Sequence, residues 1–123
     1  MSEILLIDDD AMQLQVRETV LREAGFSVSG TSTAAEALAL LRDPQAGRTL
    51  RLIVTDHVMP GASGASFVRE LRRFSPAVPV IVVTGMAEAQ DEYAGLNVSF
   101  LSKPCPPEEL IRRVRAALQM PIF

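Results

Sequence analysis

An alternating α/β fold, (βα)5 with a five-stranded parallel sheet and helices on both faces, is what this 123-residue chain predicts. Three observations carry the prediction. The runs Ile4-Leu5-Leu6-Ile7, Leu52-Ile53-Val54-Thr55, Val80-Ile81-Val82-Val83 and Val98-Ser99-Phe100-Leu101 have the length and aliphatic content of strands buried on both faces. Segments of helical periodicity separate them, which calls for parallel strands joined by right-handed crossovers. Asp8-Asp9, Asp56, Thr84 and Lys103 stand at the carboxyl ends of these runs. In open parallel sheets that edge is where ligands bind.

The elements follow in order. After the first run, Asp10-Ala11-Met12-Gln13 has the spacing of a capping box, with Asp as the cap. The helix it opens carries Met12, Val16, Val20 and Ala24 at helical spacing and stops at Gly25, a natural residue for the position past a helix end. Phe26 to Ser29 reads as a weak second strand. Thr33-Ala34-Ala35-Glu36 is a second capping box, opening an Ala/Leu-rich helix that ends before Pro44. Asp43 to Arg51 reads as a polar connection.

The Asp56 strand runs into a turn-rich loop with Pro60, Gly61 and Gly64, followed by a helix with Phe67, Leu71 and Phe74 on one face. Between Thr84 and Phe100 there is room only for a short fourth helix around Met86 to Tyr93. Its stretch Ala87-Glu88-Ala89-Gln90 is weakly amphipathic, which predicts poor anchoring. The fifth helix starts at Pro107 and has an apolar stripe of Leu110, Ile111, Val114 and Leu118.

Composition bounds the function. Apolar residues at 48% and charged residues at 22% are ordinary for one globular domain. A net charge of −3 without a Lys/Arg cluster gives no nucleic-acid footprint. The single cysteine, Cys105, excludes an internal disulfide and fits a reducing, cytoplasmic compartment. No apolar run approaches membrane length, and the N-terminus lacks a signal-like pattern. The chain stops soon after the fifth helix, so the expectation is a single domain without an output domain, either free-standing or cut from a larger protein.

Each polar residue at the sheet edge has an ordinary alternative. Asp9 or Asp10 alone would serve as a helix cap, Asp56 as a turn residue, Thr84 as a hydroxyl bonding its own backbone, and Lys103 as a solvated charge. Capping needs only one of three consecutive acids, and three adjacent carboxylates repel unless a cation neutralises them. Of the residues at this edge, Lys103 is the counter-charge expected. Such a set suits a divalent cation and a phosphoryl group.

The segments Ile4-Leu-Leu-Ile-Asp-Asp-Asp, Ile53-Val-Thr-Asp-His-Val-Met-Pro-Gly, Val80-Ile-Val-Val-Thr-Gly and Phe100-Leu-Ser-Lys-Pro resemble, in order and spacing, the signatures of the response-regulator receiver domain. That family is the flavodoxin-like phosphoacceptor module of two-component signalling. The resemblance runs from about Glu3 to Gln119. The phrase around Asp56 looks more like receivers of hybrid sensor histidine kinases than those of DNA-binding regulators.

Carried over by position, the resemblance implies Asp56 as the phosphorylated nucleophile. It implies Mg2+ held by Asp9 and Asp56 directly, by the Val58 carbonyl, and by Asp8 through water or by orienting Asp9. Thr84 and Lys103 would contact the phosphoryl group, Thr84 and Phe100 would form the switch, and the Lys103-Pro104 bond would be cis. The partner implied is a sensor histidine kinase or histidine phosphotransfer protein, with no direct nucleic-acid contact and no membrane insertion. Activity would be limited to self-phosphorylation and self-dephosphorylation.

The chain departs from the pattern in its short Thr84–Lys103 interval, which bears on the output face. Cys105-Pro106 after Lys-Pro removes a usual cap, and Cys105 reads as packing. Phe100 lacks a hydroxyl, so switching there would work by packing alone. His57 should point away from Asp56 and be partly exposed and non-catalytic. Val58 and Met86, both apolar, would border the approach of a hydrolytic water and slow loss of the phosphoryl group.

Two other readings compete. Asp8-Asp9-Asp10 also resembles the start of haloacid-dehalogenase-like phosphohydrolases, with Asp8 as nucleophile. Met12 stands where that motif has Thr or Val, no acidic pair follows Lys103 at a strand end to finish the metal site, and no cap domain is expected in a chain of this length. A phosphorylation-independent docking module would be missing an acid, the Thr or the Lys, and none is missing.

Overall fold

The computed structural model describes residues 3–59, 62–85 and 87–118. Its central sheet is parallel, in the order β2-β1-β3-β6-β7, formed by β1 (Ile4–Ile7), β2 (Val28–Thr31), β3 (Leu52–Asp56), β6 (Val80–Thr84) and β7 (Ser99–Ser102). A small antiparallel pair, β4 (Val58–Met59) and β5 (Ala62–Ser63), follows β3. Helices α1 (Ala11–Glu23), α2 (Ala34–Arg42), α3 (Pro44–Thr49), α4 (Gly64–Phe74) and α5 (Pro107–Leu118) complete the chain, with a 3-10 helix at Ala87–Tyr93. The predicted (βα)5 architecture is present.

Strand alternation divides the core in two. On one face, Ile4, Leu6, Leu52, Val54, Ile81, Val83 and Leu101 pack with Leu21 of α1 and Leu110 and Val114 of α5. On the other, Leu5, Ile7, Ile53, Val80 and Val82 pack with Ala37 of α2, Phe67, Val68 and Leu71 of α4, and Tyr93. The three inner strands are covered on both sides, which is why their sequences are unbroken apolar runs.

Local chemistry sets the helix ends. Asp10 caps α1, its carboxylate accepting from the Met12 and Gln13 amides at 3.1 and 3.2 Å. Gly25, at φ +102°, closes that helix, with Gly25 N–H donating to the Arg22 carbonyl and Phe26 N–H to that of Leu21. Thr33 caps α2 through the Glu36 amide at 3.1 Å. α5 begins at Pro107, as predicted.

Four expectations change. The buried face of α1 is not the Met12–Val16–Val20 stripe: Met12 is 77% and Val16 56% exposed, whereas Arg17 and Leu21 are buried and Leu14 is partly so. The second strand starts at Val28, two residues late, because Gly25 and Phe26 are spent closing α1. The connection after α2 contains α3, capped by Asp43 through the Gln45 amide.

The short fourth helix is also better anchored than expected. Ala89 and Tyr93 are buried, and the Arg72 guanidinium of α4 binds the carbonyls of Leu96 and Asn97 just beyond it, as well as those of Ser75 and Val78. Desolvation lowers the Arg72 pKa from its ordinary value. Among the described residues no helix is long and apolar enough to cross a membrane.

Candidate functional site

Strand phase gathers the acids. Asp8 follows Ile4 and Leu6, Asp56 follows Leu52 and Val54, and Lys103 follows Leu101, so each extends the row of side chains facing α1 and α5. β1 and β3 are neighbours in register, Ile7 opposite Thr55, which brings the two strand ends level. One oxygen from each of Asp8, Asp9 and Asp56 lies within 4.8 Å of the others.

Lys103 Nζ is 2.9 Å from Asp56 Oδ1. That buried oxygen receives no directed hydrogen bond, so the ammonium acts on it through charge. The Lys103–Pro104 peptide is cis. Thr84 ends β6, buried, one strand from Asp56 and paired in register with Ser102 of β7. Val58, 64% exposed, begins the hairpin beside Asp56. Met86 lies outside the described residues, as do Pro60 and Gly61.

The three acids are not equivalent. Asp9 is exposed. Asp8 is 1% exposed with both oxygens engaged: Oδ1 accepts from the Asp10 amide at 3.0 Å, and Oδ2 from Arg17 Nη1 at 2.9 Å. Burial raises the Asp8 pKa above its ordinary 3.8. The Asp10 amide pulls it down, the Asp56 charge pushes it up, and Arg17 and Lys103 pull it down. Arg17 corrects the expectation that Lys103 alone supplies counter-charge. Nothing local betrayed it, because an arginine in an amphipathic helix ordinarily faces solvent.

On the opposite phase, His57 follows Ile53 and Thr55, so its side chain does point away from that of Asp56. It is nevertheless only 5% exposed. α4 and the 3-10 helix roof that face, and His57 Nδ1 lies 2.8 Å from the Tyr93 hydroxyl while Nε2 is 3.3 Å from Glu92. Tyr93 also meets the Phe100 ring edge-on at 5.4 Å. Gly64 permits the arrangement: a Cβ there would run into the Tyr93 hydroxyl and sit 2.8 Å from the Asp56 carbonyl. A hydrogen-bonded tyrosine thus lies between His57, the residue after Asp56, and Phe100. The sequence reading missed it; its one signal was a lone tyrosine on a short helix.

The family description "response regulator receiver domain" matches residues 4–115. The chain belongs to that family. This receiver is 32% identical over 121 residues to the hydrogenase transcriptional regulatory protein HoxA of Bradyrhizobium diazoefficiens, covering 95% of this chain and 24% of that protein. It is 34% identical over 120 residues to the probable transcriptional regulator ycf27 of Porphyra purpurea, covering 95% and 47%. The chain therefore spans less than half of either relative.

Among solved structures, the chemotaxis response regulator CheY4 of Vibrio cholerae superposes with a TM-score of 0.85 at 27% identity, covering 96% of this chain and 99% of that one. The receiver is a phosphoacceptor signalling module with the flavodoxin-like fold. Receivers are not enzymes in the ordinary sense, and their phosphorylation implies a kinase or phosphotransfer partner.

Receivers of this kind bind Mg2+ at an acidic site, and the donors here fit such an ion. Mg2+ favours hard oxygen ligands from one or two carboxylates and keeps several waters. The cluster offers exposed Asp9 beside an Asp56 oxygen without a hydrogen bond.

Proposed function

We propose that Asp56 is the phosphoacceptor, taking a phosphoryl group from the phosphohistidine of a sensor histidine kinase or a histidine phosphotransfer protein. One observation carries the assignment. Asp56 Oδ1 is buried beside Lys103 without a hydrogen bond, whereas both oxygens of Asp8 are occupied. A carboxylate held by a guanidinium and an amide is a poor nucleophile, which argues against the phosphohydrolase reading built on Asp8.

In the transfer, an Asp56 oxygen forms a bond to phosphorus as the phosphorus–nitrogen bond to the donor imidazole breaks. Little else is asked of the protein than positioning and charge neutralisation. Lys103, 2.9 Å from Asp56, supplies a point charge for the phosphoryl oxygens, and Thr84 supplies a neutral hydroxyl donor. Asp9, Asp56 and the Val58 carbonyl would hold Mg2+, with Asp8 acting through water or by orienting Asp9. When bound, the ion neutralises charge on the phosphoryl oxygens. Movement of Thr84 toward the phosphoryl group would free space for Phe100, shifting the population toward an active state that a partner recognises.

Incubation with Mg2+ and acetyl phosphate, followed by mass spectrometry, tests the assignment. One base-labile phosphoryl group is expected on Asp56, absent in Asp56→Asn and retained in Asp8→Asn. Label on Asp8 would reverse the reading.

A further inference from the structure

Arg17 occupies a core position without a packing reason for its charge. It shares a face of α1 with Leu14 and Leu21, three residues before and four after, and is 9% exposed. An aliphatic residue would fill such a place at lower desolvation cost. The guanidinium instead reaches Asp8 Oδ2 at 2.9 Å. Each buried acid of the pocket thus has its own cation, Arg17 on Asp8 and Lys103 on Asp56. Asp9 has no ion-pair partner among the described residues.

We infer that Arg17 is a positioning residue, an internal counter-cation that keeps Asp8 out of direct metal coordination and holds the pocket's Mg2+ affinity down. The inference rests on the phosphoacceptor reading and goes beyond it. A dication entering between Asp9 and Asp56 meets a fixed positive charge one carboxylate away. Because that charge is buried, solvent and salt screen it little. Each Asp8 oxygen already accepts one hydrogen bond, so direct ligation by Asp8 would compete with the Arg17 contact or the Asp10 amide for the same oxygen. Asp9 is left as the acid that receives the ion.

The test is a Mg2+ titration of the unphosphorylated chain, followed by amide chemical shifts without any phosphodonor. Arg17→Met should tighten Mg2+ binding by about tenfold or more, and Arg17→Gln, which keeps hydrogen-bond donors but no charge, should tighten it similarly. Arg17→Lys should return the affinity close to that of the parent. Adding Asp8→Asn to Arg17→Met should remove most of the gain.

If Arg17 only supports packing, Arg17→Met lowers the melting temperature and leaves the Mg2+ affinity unchanged, which would refute the inference. Weaker binding by folded Arg17→Gln would overturn it too. A parent chain that binds no Mg2+ at all would sink the metal site of the proposed function, and this inference with it. An affinity in the parent that Arg17 variants fail to shift sinks the inference alone.

Discussion

Replacing Tyr93 with Phe isolates the hydrogen bond that ties the roof of the site to the residue after Asp56. The ring would remain, so its edge-on contact with Phe100 at 5.4 Å is kept and only the hydroxyl is lost. The hydroxyl lies 2.8 Å from His57 Nδ1, and the two residues are 3% and 5% exposed. A neutral hydrogen bond contributes about 1 kcal/mol net, and stranding its buried partner brings the cost to roughly 2 kcal/mol. For a domain of this size that is a fall in melting temperature of roughly 6–10 °C. Urea unfolding followed by circular dichroism should show the same loss through a lower midpoint at unchanged slope.

The parent offers a companion measurement, because Tyr93 is the only tyrosine and there is no tryptophan. Burial, and then the charges of Glu92 and Asp56, raise the phenol well above its ordinary 10.0, with Arg69 opposing. The folded state holds this proton more tightly than the unfolded chain. Its contribution to stability is therefore whole below pH 10 and is lost as pH rises from there toward the folded value, at about 1.4 kcal/mol per pH unit. Phenolate absorbance should appear only with alkaline unfolding. A Tyr93→Phe stability within about 0.5 kcal/mol of the parent would show that no buried bond of this kind exists. So would a free titration of Tyr93 near 10 in the folded protein.

Other perturbations report on the acidic edge. Free Mg2+ at ten times its dissociation constant should stabilise the parent by about 1.4 kcal/mol, read as a rise in melting temperature. Asp9→Ala should raise the melting temperature of the metal-free chain, by less than if Lys103 were the sole counter-cation, and should abolish the Mg2+ response; a retained response would exclude Asp9 as a ligand. Once Asp56 is labelled, the phosphoryl group should decay slowly. Val58→Asn combined with Met86→Glu should speed its loss about tenfold, or about 1.4 kcal/mol of barrier. If the parent decays within seconds and the double variant matches it, water access is not governed at these positions.

Much of this receiver was legible in its residues because the signals are local. Unbroken aliphatic runs declare strands covered on both faces; Asp10, Thr33 and Gly25 mark helix ends through hydrogen bonds to near neighbours in the chain, and Pro107 marks one through its fixed φ and missing N–H. A parallel sheet then carries Asp8, Asp56 and Lys103 to one edge as a consequence of topology, so the acidic site could be assembled without coordinates. What could not be read is which way each element turns once it packs. α1 carries two stripes a fraction of a turn apart, one apolar through Met12, Val16 and Val20, one through Leu14, Arg17 and Leu21. Propensity does not choose between them.

The choice falls to a contact outside the helix itself, the buried carboxylate of Asp8 at the end of β1 drawing Arg17 inward and leaving Met12 and Val16 to solvent. His57 follows the same logic. Alternation correctly turned it away from Asp56, but its burial depends on whether another segment covers that face, and Tyr93 does so from 36 residues away. Periodicity determines which residues share a face. Only the tertiary structure decides what that face meets, because burying a charged or polar group is tolerated only where a partner from elsewhere in the chain arrives to satisfy it.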